Sequence, residues 1–257
     1  MAGGPELNTV LGKSVVVLNA FGAEDHLLTL AELGRRTAIA KTTLHRLLGE
    51  LVAVHLLDRD GDGYRLGGQL FELGMRASVE RGLLEVAIPF MQDLYERTHE
   101  TVHLGIREGI EVVYVDKIGG HRQAATPSRI GGRMPLHCTA IGKALLAFSA
   151  PDVLAQRAAA GLPRMTSRTI TAPGVLHRQL ARVLETGIAY EHEESALGIV
   201  CVAAPVLDPD DQAIAAVSVT GPADRFRPEE HANSVRAAAA GIATTLARRA
   251  ALRPAST

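Results

Sequence analysis

Between Leu28 and Val52 the sequence writes two helices separated by a turn, an arrangement that leaves the N-terminal part of the chain very few folds. Thr29 stands as an N-cap before Leu30, Ala31 and Leu33, and after Ala38-Ile39-Ala40 a further helix begins at Lys41. In that helix Leu44, Leu47, Leu48, Leu51 and Val52 form the i, i+3, i+4, i+7 stripe of a helix packed along one face. Upstream, Val10, Leu11, Val15, Val17, Leu18 and Phe21 recur near helical spacing, and Gly22 follows as a stop. Downstream, Leu56-Leu57-Asp58-Arg59, the turn Asp60-Gly61-Asp62-Gly63 and Tyr64-Arg65-Leu66 predict a hairpin. Three helices followed by a hairpin are the order of a winged helix-turn-helix.

The charge of this segment points to double-stranded DNA. The 257 residues carry a net charge of -1, so the chain has no global electrostatic preference, yet between Gly34 and Arg46 the charged side chains are Arg35, Arg36, Lys41 and Arg46, with no carboxylate among them. A recognition helix enters the major groove by its first turn, with short polar side chains on base edges and basic ones on phosphate. Lys41, Thr42, Thr43, His45 and Arg46 supply both kinds, and Arg59 and Arg65 of the hairpin are placed for backbone or minor-groove contact. The competing reading is a merely solvated basic face. The order of the elements favours DNA, and a homodimer with two such helices about 34 Å apart would read a pseudo-palindromic operator.

After Gly67 and Gly68, Gln69 to Met75 and Leu83 to Ile88 look helical, with Pro89 placed to start a further helix. We therefore expect a DNA-binding domain at 1–68, a linker helix at 69–88 and a second domain at 89–257. In the second domain Thr101 to Arg107 and Glu111 to Ile118 alternate like antiparallel strands around Glu108-Gly109-Ile110. Helices follow at Thr139 to Phe148, Pro151 to Ala159 and Gly174 to Glu185. Strands are expected at Ile188 to Glu191, Cys201 to Leu207 and Ala213 to Thr220, and a last helix from Pro228 to Arg249. The fold class is α+β, an antiparallel sheet with helices packed on it.

Composition excludes several alternatives. With 47% hydrophobic residues the chain can bury a core, and 4% aromatics with no Trp provide no stacking platform for single-stranded nucleic acid. Cys138 and Cys201 are too few for a disulfide framework or a thiolate zinc site. No apolar run approaches the roughly 18 residues that span a bilayer, and MAGGPELNTV lacks the regions of a signal peptide, so a cytoplasmic protein without membrane contact is expected.

Three places in the sequence carry residues of enzyme chemistry. His99-Glu100-Thr101-Val102-His103 spells H-E-x-x-H, which on a helix would hold zinc for a metal-dependent hydrolase. Its neighbours read as strand, where the two imidazoles would lie roughly 13 Å apart. His137-Cys138 lacks an orienting third residue, and Glu191, Glu193 and Glu194 around His192 read as a solvated loop. A softer alternative is a divalent metal bound together with an effector through Glu191 and a nearby His. The expectation is no catalytic residue, no metal and no cofactor.

The stretch LAELGRRTAIAKTTLHRLLGELVAVHLLDRDGDGYRLG, together with RIGGRMPLHCTAIGKALLAF, GIAYEHEESALGIVCVAAPVLD and AIAAVSVTGP, resembles the IclR (isocitrate lyase regulator) family of bacterial transcription factors over nearly the whole chain. The resemblance implies a winged helix joined by a helix to a GAF-like domain that binds a small effector, often an organic acid. It implies effector contacts at Met134, Ala140, Ile141, Glu191, Ile199, Cys201, Ser218 and Thr220. Backbone N–H groups at Ala140 and Ile141 would open a helix there and favour a carboxylate, and Ser218 and Thr220 alternate with valines on one strand face. Ala38 and His55 stand where the family usually has Gly, at positions that favour positive φ, and Cys138 stands where it has a smaller residue. Operator symmetry favours an even-numbered homo-oligomer, dimer or tetramer, and effector binding is expected to act on DNA affinity through the linker near Gly74 to Gly82. The remaining alternative is a ligand-binding module without DNA binding.

Overall fold

The computed structural model describes residues 9–22, 24–76, 78–119, 124 and 126–252. The chain divides into two compact units, Met1–Ser78 and Val79–Thr257. In the first, α1 (Val10–Asn19) is capped by Thr9, whose hydroxyl accepts from Gly12 N at 2.9 Å. A two-residue strand β1 (Leu28–Thr29) leads into α2 (Leu30–Thr37), where Thr29 accepts from Glu32 N at 3.2 Å as its spacing predicts. Helix α3 (Lys41–Ala53) follows, then β2 (Leu57–Asp60) and β3 (Gly63–Leu66), with β3 paired antiparallel to both β2 and β1. The two residues of β1 carry no alternation to read, and β1 is the element of this unit that the sequence did not announce. Val17, Leu33, Leu44, Leu48 and Leu57 are fully or almost fully buried in one core, so the leucine stripe of α3 packs as its period requires.

The structure agrees with the two departures from glycine. Ala38, which ends α2, has φ +54°, and His55, after α3, has φ +57°. Both are left-handed positions held by residues with a Cβ.

Helix α4 (Gly68–Arg76) precedes α5 (Ser78–Thr98) across the expected linker, where residue 77 lies outside the described residues. Pro89 does not start a helix but lies inside α5. Its ring removes the bond from its own nitrogen to the carbonyl four residues back and crowds that carbonyl. Buried Val86, Ala87, Met91 and Leu94 on either side hold the helix to the core.

The second unit is built on a six-stranded antiparallel sheet of order β6-β5-β4-β9-β8-β7. Its strands are β4 (Thr101–Glu108), β5 (Glu111–Ile118), β6 (Arg133–Pro135), β7 (Ala189–His192), β8 (Ile199–Leu207) and β9 (Ala213–Pro222). One face carries Val102, Leu104, Val202, Val217 and Val219 against α5 and α9 (Pro228–Ala251). The other carries Tyr114, Ala189, Cys201 and Ala203 against α6 (Ala140–Ala147), α7 (Pro151–Ala159) and α8 (Pro173–Thr186). Period-two alternation separates the two sets along each strand. Strand β6 and the 3-10 turn Leu136–Cys138 after it were not expected from the sequence, being three residues each. Among the described residues no helix is long and apolar enough to cross a membrane.

Candidate functional site

In the first unit α3 presents Lys41, Thr42, His45 and Arg46 to solvent, with Thr43 half-buried and Leu44, Leu47 and Leu48 buried behind them. Ala40 supplies no side-chain cap to α3, so its first N–H groups are available to an anion such as phosphate. The absence of carboxylates from the stretch 34–46 does not mean that its cations are unpaired, because acids arrive from either side. Arg36 bonds Ala20 O at 2.9 Å and Glu32 Oε1 at 2.8 Å, and pairs closely with Asp25. That guanidinium, with the Gly22 N–H, holds the Asp25 carboxyl below its ordinary value. Arg35 pairs with Glu32, Arg46 Nη1 lies 2.5 Å from Glu50, and Arg65 Nε lies 3.4 Å from Asp58. Lys41 and Arg59 have no carboxylate partner among the described residues; Arg59 Nε reaches the Gly61 carbonyl at 3.4 Å. Arg36 is therefore a clamp between α2 and the segment after α1. The exposed pairs of Arg35, Arg46 and Arg65 are weak enough, at about 0–1 kcal/mol each, to exchange for phosphate.

In the second unit the eight residues named for the effector line one cavity of about 20 Å³. The sheet explains why they meet. Glu191, Cys201, Thr220 and Thr101 stand opposite one another across β7, β8, β9 and β4, and Ala189, Ala203, Ser218 and His103 form the next row on the same face. Above these rows α6 begins, capped by Thr139, which accepts from Gly142 N at 3.0 Å. Gly142 is required there, since a Cβ would lie 2.2 Å from the Leu136 carbonyl oxygen. Gly105 on β4 likewise leaves room for Ile141, whose Cγ2 would be 2.9 Å from an added Cβ.

The polar groups of the cavity are mostly hydroxyls. Thr220 donates to Cys201 Sγ at 3.0 Å, and Ser128 Oγ lies 2.7 Å from His103 Nε2. Burial, with Lys117 close by, pushes His103 down to about 3, so its imidazole is neutral. Burial raises Tyr114 far above the ordinary phenol range and the Cys201 thiol up to about 12. Glu191 Oε1 accepts from Glu194 N at 2.9 Å, Ser195 N at 3.0 Å and Ser195 Oγ at 3.1 Å. Burial nonetheless outweighs these donors and, with Glu194 nearby, raises the Glu191 carboxyl to about 7. Among the described residues no Lys or Arg lines the cavity.

Several cavity residues escaped the sequence reading. His103, the ladder partner of Ser218, is legible from strand register, but the H-E-x-x-H spacing marks it only as a metal ligand. Tyr114 follows from the alternation of β5 once its inner face is known, whereas Thr126, Pro127 and Ser128 come from an irregular segment with no period to betray them.

The enzyme readings resolve differently from one another. His103 is on β4, but His99 is not on the strand: it has φ +53° at the end of α5, and its ring stands edge-on to Tyr95 at 6.1 Å. Among the described residues no group of three or more His, Cys, Asp or Glu could hold a metal. Glu191 and Glu194 are not a solvated loop but are 2% and 4% exposed. Each is buried against local donors, Glu194 against Lys143 Nζ at 2.5 Å. Cys138 lies buried outside the cavity, pushed up to about 12 by burial, and His137 Nε2 meets the Pro163 carbonyl at 3.0 Å.

Residues 10–61 match the IclR helix-turn-helix domain, and residues 75–246 match the bacterial transcriptional regulator IclR C-terminal domain. The chain belongs to the IclR family. The HTH-type transcriptional regulator KdgR of Escherichia coli (strain K12) is 36% identical over 216 residues, which are 83% of this chain and 82% of that protein. The regulator XynR of the same organism is 33% identical over 224 residues, covering 86% and 89% of the two chains. Among solved structures, an IclR homologue from Microbacterium hydrocarbonoxydans complexed with 4-hydroxybenzoate superposes with TM-score 0.87 at 31% identity, covering 94% of this chain and all of that one. This IclR-family chain is a transcriptional regulator with a DNA-binding helix-turn-helix, and its relatives are named as regulators rather than enzymes.

Proposed function

We propose that this regulator binds a small organic acid in the cavity between α6 and the sheet, whose present 20 Å³ holds about one water and must widen to admit the acid, and that the acid changes its affinity for a pseudo-palindromic operator. The observation that carries the reading is that Met134, Ala140, Ile141, Glu191, Ile199, Cys201, Ser218 and Thr220 converge on one cavity at the start of α6. Unpaired N–H groups there favour an anionic oxygen, Ser218 and Thr220 offer hydroxyls, and Met134 and Ile199 offer apolar wall. The 4-hydroxybenzoate bound by the Microbacterium homologue supports the ligand class. On the DNA side, Lys41, Thr42, His45 and Arg46 are the reading face, Arg59 and Arg65 serve the backbone, and Arg35 contributes at the edge. A homodimer or tetramer acting in the cytoplasm completes the reading, with residues 1–68 as the DNA-binding domain, 69–88 as linker and 89–257 as effector domain. Linkage requires that operator DNA alter effector affinity by the same factor as effector alters DNA affinity.

The experiment is fluorescence anisotropy of labelled DNA from upstream of the protein's own gene, against scrambled DNA, over a salt series and with a panel of organic acids. Selective binding that an acid shifts is the expected result. Selective binding that no acid in saturating amount shifts would remove the effector part of the proposal.

A further inference from the structure

A larger cavity of the second unit lies elsewhere, at the free edge of β7 between α8 and α9, and encloses about 310 Å³. That size falls within the ordinary range for small-molecule sites. Lys143, Val183 and Ile188 form its base, Tyr190 one wall, and Arg182 of α8 and Arg236 of α9 stand at the rim. Among the described residues no carboxylate lines it; Glu229 stands at its margin, 4.0 Å from His192 Nε2. Neither rim guanidinium has a carboxylate partner among the described residues. Among the described residues Arg236 bonds only Asn233 Oδ1 at 2.7 Å and the Thr186 carbonyl at 3.0 Å, both neutral, and the Arg182 guanidinium has no hydrogen-bond partner. Beneath them Lys143 is 1% exposed, held by Gln179 Oε1 at 2.9 Å and Glu194 Oε1 at 2.5 Å, which accounts for two of its three N–H donors.

Two guanidiniums over an apolar floor define a ligand chemistry. A guanidinium presents its N–H donors in a planar fork that fits a carboxylate, and an aromatic or branched apolar body would pack on Val183, Ile188 and Tyr190. We propose that this cavity is a second ligand site, separate from the effector cavity, that takes a small aromatic carboxylate between Arg182 and Arg236.

The test uses 4-bromobenzoate with the full chain, reading stoichiometry by equilibrium dialysis and position by bromine anomalous diffraction. The expected result is a bromine in the β7-edge cavity of the wild-type protein and a binding event that weakens at least tenfold in Arg182→Ala and in Arg182→Ala/Arg236→Ala. Because Arg236 also holds the Thr186 carbonyl, the single Arg182 variant keeps the test valid if the double variant does not fold. Bromine in the effector cavity alone, or in neither cavity, overturns the proposal, as does bromine at the β7 edge that persists unweakened in folded Arg182→Ala. Solution scattering that shows the cavity occluded by a second copy of the chain would overturn it too. Bromine at the β7 edge with an empty effector cavity would support this site while counting against aryl acids as effectors.

Discussion

Glu191 holds Ser195 twice with one oxygen, accepting the Ser195 N–H at 3.0 Å and its hydroxyl at 3.1 Å on Oε1. The same oxygen takes Glu194 N, so the turn leaving β7 is folded around a carboxylate that is 2% exposed. The proposed function and stability meet in this residue, because it also lines the cavity at the start of α6.

The first prediction follows from its charge. Burial raises the Glu191 carboxyl to about 7 from an unfolded value of 4.5, so between those limits the folded state holds more proton than the unfolded one. Stability therefore falls as pH rises through that window, by at most about 1.4 kcal/mol per pH unit for one group. His103 works in the opposite sense: folded at about 3 against 6.5 unfolded, it costs stability as pH falls below 6.5. Urea unfolding from pH 4 to 8 should show Glu191→Gln losing the decline toward neutrality and His103→Gln losing part of the acid sensitivity. Unchanged profiles in both variants would refute the assignment. Acid binding should likewise tighten as pH falls toward 5 in the wild type and lose much of that dependence in Glu191→Gln, because the anion no longer meets a carboxylate.

A second prediction concerns the buried pair of Lys143 and Glu194, 2.5 Å apart and 1% and 5% exposed at the side chain. Removing one partner strands the other charge, and Glu194 Oε2 already has no hydrogen-bond partner among the described residues. Lys143→Met should lower unfolding free energy by about 3–5 kcal/mol, and Lys143→Met/Glu194→Gln should recover a large part of it. A double variant no better than the single one would show that the pair is not what the site depends on.

Much of this was legible before the structure, and the residues show why. The stripe from Leu44 to Val52 and the alternation of Thr101–Glu108 and Glu111–Ile118 repeat often enough to define a face, and they sit where their periods placed them. Strands β1 and β6, of two and three residues, offer less than a full alternation. Pro89 misled because local chemistry argues for a helix start, while burial of the residues around it decides for continuity. The cavity was legible through strand parity and family motif. Buried Glu191 and Glu194 were not, since nothing local distinguishes an acid that folds a turn around itself from one in water.

The left-handed residue Ala38 gives a third test. At φ +54° a Cβ costs roughly 1–2 kcal/mol, partly offset by the greater freedom of glycine in the unfolded chain. Ala38→Gly should stabilise the protein by about 0.5–1 kcal/mol in chemical denaturation, without loss of operator binding. Destabilisation would mean that the turn between α2 and α3 depends on the Ala38 methyl.

The last prediction separates two cations that sequence alone groups together. Lys41 stands exposed on the first turn of α3 with no carboxylate partner among the described residues, whereas Arg36 spans Ala20 O, Asp25 and Glu32. If Lys41 meets a phosphate, Lys41→Ala should weaken operator binding and reduce the slope of log affinity against log salt by about 0.9, with the thermal midpoint unchanged. Arg36→Ala should instead lower the thermal midpoint, because it cuts the tie between α2 and the segment after α1, and change the salt slope little. Its loss also releases Asp25 toward an ordinary carboxylate value, a shift that NMR titration of Asp25 would report directly. A reduced salt slope in Arg36→Ala at an unchanged midpoint would reverse the assignment and place Arg36, not Lys41, against the DNA backbone.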